Sequence, residues 1–142
     1  MTANALKTLT ALLLFIAAFV PAGCTEDDPS PTPADPREVF LGDWVVNETG
    51  SKLTYEVTIA LDPNSASNIW IFNFANSGSG GNPAVASVSG NSVTLNANQT
   101  IGDGWVVNGG GILSGSSTIN WTYPLFDGAT QFDLVAVYTR KS

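Results

Sequence analysis

Side chains able to act as nucleophiles or metal ligands are scarce in this sequence. Cys24 is the only cysteine among 142 residues, and there is no histidine. A Ser-His-Asp or Cys-His catalytic site needs an imidazole base, and the usual zinc sites are built from cysteine and histidine. The sequence therefore contains neither kind of site, and we expect a protein that is not an enzyme and holds no cofactor.

Carboxylates are the other chemically useful groups, and those after residue 37 are scattered. Two of them, brought together by the fold, would form the acid–base pair of a glycosidase. A domain of about a hundred residues leaves little room for a substrate cleft beside such a pair. Asp103 lies between two glycines, which is typical of a turn, and we predict no metal site. The carboxylates are Glu38, Asp43, Glu48, Glu56, Asp62, Asp103, Asp127 and Asp133.

A glycine run follows Asn108, at residues 109–111. It lacks the lysine and the helix start of a phosphate-binding loop. Glycine inside a strand pattern instead marks a bulge or a close approach of another backbone. We predict one of these two structural roles for the run.

Cys24 stands at the end of an N-terminal segment with the order of a secretory signal. Lys7 supplies a positive charge, residues 9–20 are apolar apart from Thr10, and the small residues Ala22 and Gly23 precede the cysteine. This order is typical of a signal peptide. The apolar run is shorter than the roughly twenty residues of a membrane-spanning helix. We predict a signal peptide at residues 1–23 and no transmembrane anchor.

In the run Val20-Pro21-Ala22-Gly23-Cys24, the last four residues, Pro21 to Cys24, resemble the lipobox of bacterial lipoproteins. The resemblance implies that the chain is cut before Cys24 and that its thiol is diacylated. That family usually has Leu or another aliphatic residue where Pro21 stands. Two or three acyl chains would anchor the protein permanently, since each buried methylene contributes about 0.8 kcal/mol. The same residues also fit an ordinary signal peptidase, which would leave Cys24 as a free thiol in a secreted chain.

Residues 24–36 are predicted to form the lipid anchor and a linker. Thr25-Glu26-Asp27-Asp28 resembles the acidic export signal of lipoproteins on the outer face of the outer membrane, and a solvated acidic linker is the alternative. The proline-rich residues 29–36 favour an extended spacer that rises about 3 Å per residue. We expect a surface-exposed protein anchored in the outer membrane by acyl chains on Cys24; a secreted or periplasmic protein is the alternative.

Residues 37–142 form one predicted all-β domain. Apolar and polar residues alternate in short runs between turn residues. Eight or nine consecutive antiparallel strands indicate a meander, which loses its unpaired edges by closing into an up-and-down barrel; a β-sandwich is the alternative. We expect Leu61 and Phe132 to point inward and residues 124–130 to form a turn. The strands are predicted at residues 43–48, 52–61, 68–74, 85–89, 92–97, 99–101, 105–113, 116–123 and 131–140.

Gly42-Asp43-Trp44 resembles the Gly-x-Trp that starts the first strand of lipocalins and avidins. In those families a basic residue of the last strand packs over the Trp, and the resemblance implies this role for Arg140 over Trp44. Residues 40–141 are also similar to small lipocalin-like domains of uncharacterised bacterial surface lipoproteins. Unlike true lipocalins, the sequence has no disulfide and no C-terminal helix pattern. The resemblance implies a barrel and names no ligand. The shared motifs are the Gly-x-Trp start, Tyr55-x-Val57-x-Ile59, Asn73-Phe74 and Tyr138-Thr139-Arg140.

Aromatic residues are the remaining candidates for a binding site. Exposed Trp and Tyr side chains stack on sugars or line apolar cups, and small barrels bind at their open mouths. We therefore expect a binding module for a small apolar or sugar-like ligand. The alternative is a structural or accessory lipoprotein that docks an envelope protein through residues 68–74. The candidate pocket residues, each of which would otherwise fill the barrel interior, are Trp70, Phe72, Trp105, Trp121 and Tyr123.

Charge narrows the range of partners. The sequence has five basic and twelve acidic residues, and removal of the signal peptide would also remove Lys7. Such an acidic chain repels the phosphates of nucleic acids and anionic lipid head groups. We expect no nucleic-acid partner, whereas neutral glycans, apolar molecules, cations and proteins are compatible with this charge.

Overall fold

The computed structural model describes residues 34–102 and 104–142, which form an all-β barrel. The predicted signal peptide, Cys24 and nearly all of the linker lie outside the described residues. No helix in the two described ranges is long and apolar enough to cross a membrane. Two short 3₁₀ helices occupy Glu38–Phe40 and Phe74–Asn76. The strands are β1 (Gly42–Glu48), β2 (Leu53–Leu61), β3 (Asn68–Phe72), β4 (Ala84–Ser89), β5 (Ser92–Leu95), β6 (Gln99–Ile101), β7 (Trp105–Val107), β8 (Gly110–Ser114), β9 (Thr118–Phe126) and β10 (Gln131–Arg140).

Eight of these strands close into a circle. Strands β1 to β5 pair in sequence, β5 then pairs with β8, and β8, β9 and β10 follow. The last strand pairs with the first, so that Trp44 lies opposite Arg140 and Glu48 opposite Ala136. Every pair is antiparallel. The predicted closed antiparallel barrel is therefore confirmed, and the alternative of an open sandwich is excluded.

Strands β6 and β7 form a hairpin outside the circle, attached to β9. The predicted single strand at residues 105–113 is wrong, because Asn108 and Gly109 break it into β7 and β8. Gly109 has a φ of +109°, and the side-chain oxygen of Asn108 accepts a hydrogen bond of 2.6 Å from the backbone N–H of Asn98. The break lets β9 pair first with β8 and then with β7.

Pro124 lies at this break, and the prediction that a turn begins there is also wrong. Strand β9 continues to Phe126, and the turn follows it. A proline inside a sheet removes one ladder hydrogen bond and is tolerated where the ladder is already interrupted. Pro124 contributes its carbonyl oxygen, which accepts a hydrogen bond of 3.3 Å from the N–H of Asn108.

The barrel interior is filled by large side chains from alternate positions along the strands. An interior packed with aromatic rings is a core rather than a deep ligand cavity. Leu61 and Phe132, predicted to point inward, are 41% and 44% exposed because they lie at the ends of their strands, outside this packing. The largest fully buried side chains are those of Trp44, Trp121, Tyr123, Tyr138, Phe40 and Phe74.

The glycine run at residues 109–111 allows neighbouring groups to approach closely, as predicted. A Cβ atom on Gly111 would lie 2.8 Å from the ring of Trp121, and one on Gly110 would lie 2.7 Å from the carbonyl oxygen of Val93. Since β8 stands between β5 and β9, both neighbours are fixed by the closed sheet. Glycine here makes room for the core and for the adjacent backbone.

Replacing Gly111 by Ala should therefore destabilise the barrel, since the new methyl group would overlap the ring of Trp121. We expect the free energy of unfolding to fall by about 1–3 kcal/mol, the usual cost of overpacking. A denaturant titration followed by tryptophan fluorescence measures this change. Gly80→Ala is the control, because nothing lies within 4 Å of its Cβ position. Equal losses in the two variants would contradict the close approach.

Trp44 and Arg140 close one end of the barrel. The Cζ atom of Arg140 lies 4.2 Å from the centroid of the Trp44 ring, a geometry that favours a cation–π interaction. The indole N–H of Trp44 donates to the carbonyl oxygen of Phe40 at 2.9 Å. The segment that precedes β1 is thus fastened to the closed end of the barrel. The guanidinium of Arg140 donates hydrogen bonds to the carbonyl oxygens of Val39, Leu41 and Ser116.

Arg140→Met should lower the free energy of unfolding by about 2 kcal/mol, because it removes charged hydrogen bonds and the cation over Trp44. Thermal or denaturant unfolding measures the loss. Lys141→Met is the matched control. Lys141 pairs with Glu56 on the surface, where both side chains are about half exposed, and such pairs contribute little. If the Lys141 variant lost as much stability as the Arg140 variant, the closing role of Arg140 would be refuted.

Candidate functional site

The end of the barrel opposite Trp44 and Arg140 carries a pocket of about 320 Å³, here called the mouth pocket. It lies where β1 and β9 end and where β2 and β10 begin. Most of its wall is apolar, and the side chains of Glu48, Ser51 and Asp127 complete it. The apolar lining consists of Leu53, Ala75, Trp105, Leu125, Phe132 and Leu134.

A buried charge distinguishes the mouth pocket from three other depressions on the described part of the chain. These lie on the outer wall around Gly110, at the closed end beside Arg140, and beside the turn at Gly50. Among the described residues, the buried charged side chains are those of Arg37 and Glu48. Of the four depressions, the mouth pocket alone is lined by one of them.

Three hydroxyl groups converge on the carboxylate of Glu48, which is only 5% exposed. The hydroxyl of Ser51 donates to Oε1, and the hydroxyl of Tyr123 donates to Oε2. Tyr55 also donates to Oε2, at 3.2 Å. Hydrogen bonds to an ionised group are stronger than those between neutral groups. The three donors fix the carboxylate at the floor of the mouth pocket.

Glu48 has no basic partner among the described residues. The two ion pairs found there join Asp35 to Arg37 and Glu56 to Lys141. Lys52 belongs to the same turn as Ser51, but its side chain is exposed and does not line the pocket. The carboxyl group of Glu48 is therefore largely removed from water, and its side-chain partners among the described residues are neutral hydroxyl groups.

The hydroxyl groups of three tyrosines in this region have a raised pKa. Burial is the main cause for Tyr55, Tyr123 and Tyr138, and the carboxylate of Glu48 adds to the increase. Their hydroxyls therefore stay protonated and available as donors. The hydroxyl of Tyr138 and the indole N–H of Trp121 are buried without a hydrogen-bond partner among the described residues.

One side of the mouth pocket is formed by a segment in an uncommon backbone conformation. Asn73, Ala75 and Asn76 all have φ between 54° and 61°, the left-handed region that alanine rarely adopts. The side chain of Asn73 holds the segment by donating 2.7 Å to the carbonyl of Glu56 and accepting 2.8 Å from Gly78. Such strain persists where surrounding contacts enforce it, and it clusters at functional sites.

Two of the five predicted pocket residues lie on the outer wall of the barrel. Trp70 and Phe72 alternate along β3 with the buried Ile69 and Ile71, so their side chains point away from the interior. Both are partly exposed, and their rings meet edge to face with centroids 6.2 Å apart. They form a small aromatic surface that does not contribute to the mouth pocket.

The other three predicted residues lie at the mouth pocket or in the core. Trp105 lines the mouth pocket and is partly exposed. Trp121 and Tyr123 belong to the core, where the ring of Phe74 contacts both, at centroid distances of 5.3 and 4.8 Å. Tyr123 still reaches the site indirectly, since its hydroxyl donates to Glu48.

Glu48 was not among the predicted site residues, although the alternation of side chains along the first strand indicates that it faces the interior. Trp44 and Val46 are predicted to share one face of the first strand, and strict alternation puts residue 48 on the same face. The burial pattern of β1 follows this rule to its last residue. Leu53 shares the face of Tyr55 by the same alternation, whereas Ala75 carried no comparable signal, because a left-handed segment brings it to the mouth.

No protein-family model and no curated protein matches the sequence. Across residues 34–102 and 104–142, no group of three or more acidic, Cys or His side chains could hold a metal ion.

The mouth pocket combines an apolar wall with one buried hydrogen-bond acceptor, the carboxyl group of Glu48. This arrangement suits the binding of a small molecule that has an apolar body and a donor group.

The hydroxyls of two core tyrosines should differ in their effect on stability. Tyr123→Phe removes a donor to Glu48, and we expect the free energy of unfolding to fall by about 1.5–3 kcal/mol, as for hydrogen bonds to charged groups. Tyr138→Phe removes a buried hydroxyl that has no partner, so stability should be unchanged or higher. Denaturant unfolding of the two variants checks the difference. Equal losses would show that Glu48 does not depend on Tyr123.

Proposed function

We propose that the chain is a lipid-anchored binding module of a bacterial outer membrane, exposed at the cell surface, that binds a small apolar ligand without transforming it. The mouth pocket, with its apolar wall and Glu48 at the floor, carries the proposal. We further propose that the domain is of the lipocalin-like kind found in bacterial surface lipoproteins. The closed eight-stranded barrel and the Arg140–Trp44 contact support that assignment.

The size of the mouth pocket restricts the ligand. A volume of about 320 Å³ is near the lower limit of the roughly 300–1,000 Å³ usual for ligand sites. Aromatic rings fill the barrel beneath it, so a long chain could not enter the interior. The mainly apolar lining favours an apolar ligand over a sugar. The described chain enters the barrel at the closed end, so the mouth is remote from the point where the linker joins.

A second candidate function is docking of an envelope protein on the outer wall of β3. Trp70 lies between Ala60 of β2 and Val85 of β4 in the sheet, and Phe72 follows it on the same face. Two partly exposed aromatic rings on a rigid wall are typical of the anchor residues of protein interfaces. This surface favours a protein partner, whereas the mouth favours a small molecule.

The binding function can be tested with a small neutral fluorescent probe such as 1-naphthol, whose size matches a pocket of about 320 Å³. Phe132→Ala should weaken binding about tenfold, because one aromatic contact contributes on the order of 1.5 kcal/mol. Phe72→Ala is the matched control on the outer wall and should leave the affinity unchanged. If Phe72→Ala weakens binding and Phe132→Ala does not, the outer wall is the site and the mouth proposal is wrong.

The anchor has its own test in the bacterium that makes the protein. The intact mass of the purified protein should show an acyl increment on Cys24, and Cys24→Ser should move the protein from the detergent phase to the aqueous phase. A Cys24→Ser protein that stays in the detergent phase as firmly as the wild type would refute the lipid anchor. Neither result depends on the ligand.

A further inference from the structure

The buried charge of Glu48 has consequences for the ligand. Buried ionic groups in proteins are nearly always paired with an opposite charge or a metal, because an isolated ion loses its hydration. Arg37, the other buried charged side chain among the described residues, obeys this rule through Asp35 at 2.6 Å. Glu48 is equally buried and has only hydroxyl partners. A ligand with a positive charge would give the carboxylate of Glu48 the opposite charge that such buried groups usually have.

The hydrogen-bond pattern shows where such a cation would bind. A carboxylate has about four acceptor sites, two on each oxygen. Oε2 of Glu48 already accepts hydrogen bonds from Tyr55 and Tyr123, whereas Oε1 accepts one from Ser51. Both Glu48 and Ser51 line the mouth pocket. Oε1 therefore keeps one acceptor site among the described contacts, on a side chain that lines the pocket.

The pocket wall is also suited to a positive charge. Trp105 and Phe132 contribute aromatic rings, whose faces attract cations. Asp127 adds a second carboxylate, and hydrogen bonds from the backbone N–H groups of Thr130 and Ala129 hold its pKa below the usual range. No basic side chain from residues 34–102 or 104–142 lines the pocket. An anionic ligand such as a fatty acid would be repelled by both carboxylates.

We propose that the mouth pocket selects a small apolar amine, whose ammonium group binds Oε1 of Glu48 while its apolar part contacts the walls. This inference rests on the proposed binding function and adds the class of ligand to it. At a water molecule's share of about 30 Å³, a pocket of about 320 Å³ holds about ten non-hydrogen atoms. The ligand is accordingly the size of an arylalkyl or short alkyl amine.

A matched series of three ligands tests the proposal on the intact wild-type chain in phospholipid nanodiscs, with empty nanodiscs as the blank. The ligands are 2-phenylethylammonium, 2-phenylethanol and phenylacetate, which share one ring and differ in charge. Isothermal titration calorimetry should show the ammonium binding at least about tenfold more tightly than the alcohol, the scale of one charged hydrogen bond. Phenylacetate should be the weakest ligand.

Two variants connect this preference to Glu48. Glu48→Gln keeps the shape and one acceptor oxygen, with an amide NH₂ group in place of the other oxygen, and it should reduce the affinity for the ammonium to that for the alcohol. Glu56→Gln is the control, since Glu56 is exposed and pairs with Lys141 outside the pocket; it should change neither affinity. The wild-type ligand series decides the question even if the Glu48 variant does not fold.

The outcomes separate this inference from the proposed function. If the alcohol binds as tightly as the ammonium, or phenylacetate binds best, Glu48 does not select an amine, although the mouth remains a binding site. If Phe132→Ala weakens the binding of ammonium and alcohol by the same factor while Glu48→Gln affects only the ammonium, both proposals are supported. If none of the three ligands binds, both are overturned.

Discussion

Closure of the sheet by the pairing of β1 with β10 is the constraint from which the remaining structure follows. A circle of eight strands has no free edge, and its interior is only wide enough for side chains or one small ligand. Here the rings of Trp44, Trp121 and Tyr138, with their neighbours, occupy that space. Arg140 then seals one end over Trp44. The space left for a bound ligand is therefore at the opposite end of the barrel or on its outer wall.

The buried carboxylate is a consequence of the same strand geometry. Side chains alternate along β1, so the rule that buries Trp44 and Val46 also buries Glu48 at the end of the strand. An apolar residue there would extend the core, whereas a carboxylate needs donors, which Tyr123 and Ser51 provide together with Tyr55. The core thus contains a polar group that costs free energy to bury. The proposed binding of an amine at the mouth would account for that cost.

Most of the fold could be predicted from the sequence, because it depends on a local signal. Period-two alternation and tight turns indicate the strands and their order, and closure follows from the number of strands. The break at Gly109 and the continuation of β9 through Pro124 could not be predicted, since they depend on which strand lies beside each residue. The same distinction applies to the site. Glu48 could have been assigned from alternation, although it was not, but Ala75 reaches the mouth through a left-handed segment held by tertiary contacts.

The four tryptophans provide the most direct test of the claim that the filled barrel binds its ligand at the mouth. Trp105 lies in the mouth pocket, Trp70 lies on the outer wall, and Trp44 and Trp121 lie in the core. Their indole N–H signals in a two-dimensional ¹H–¹⁵N spectrum of the intact chain therefore report on three separate locations. On addition of 2-phenylethylammonium, the signal of Trp105 should shift while that of Trp70 stays in place. A shift of Trp70 with Trp105 unchanged would contradict the account.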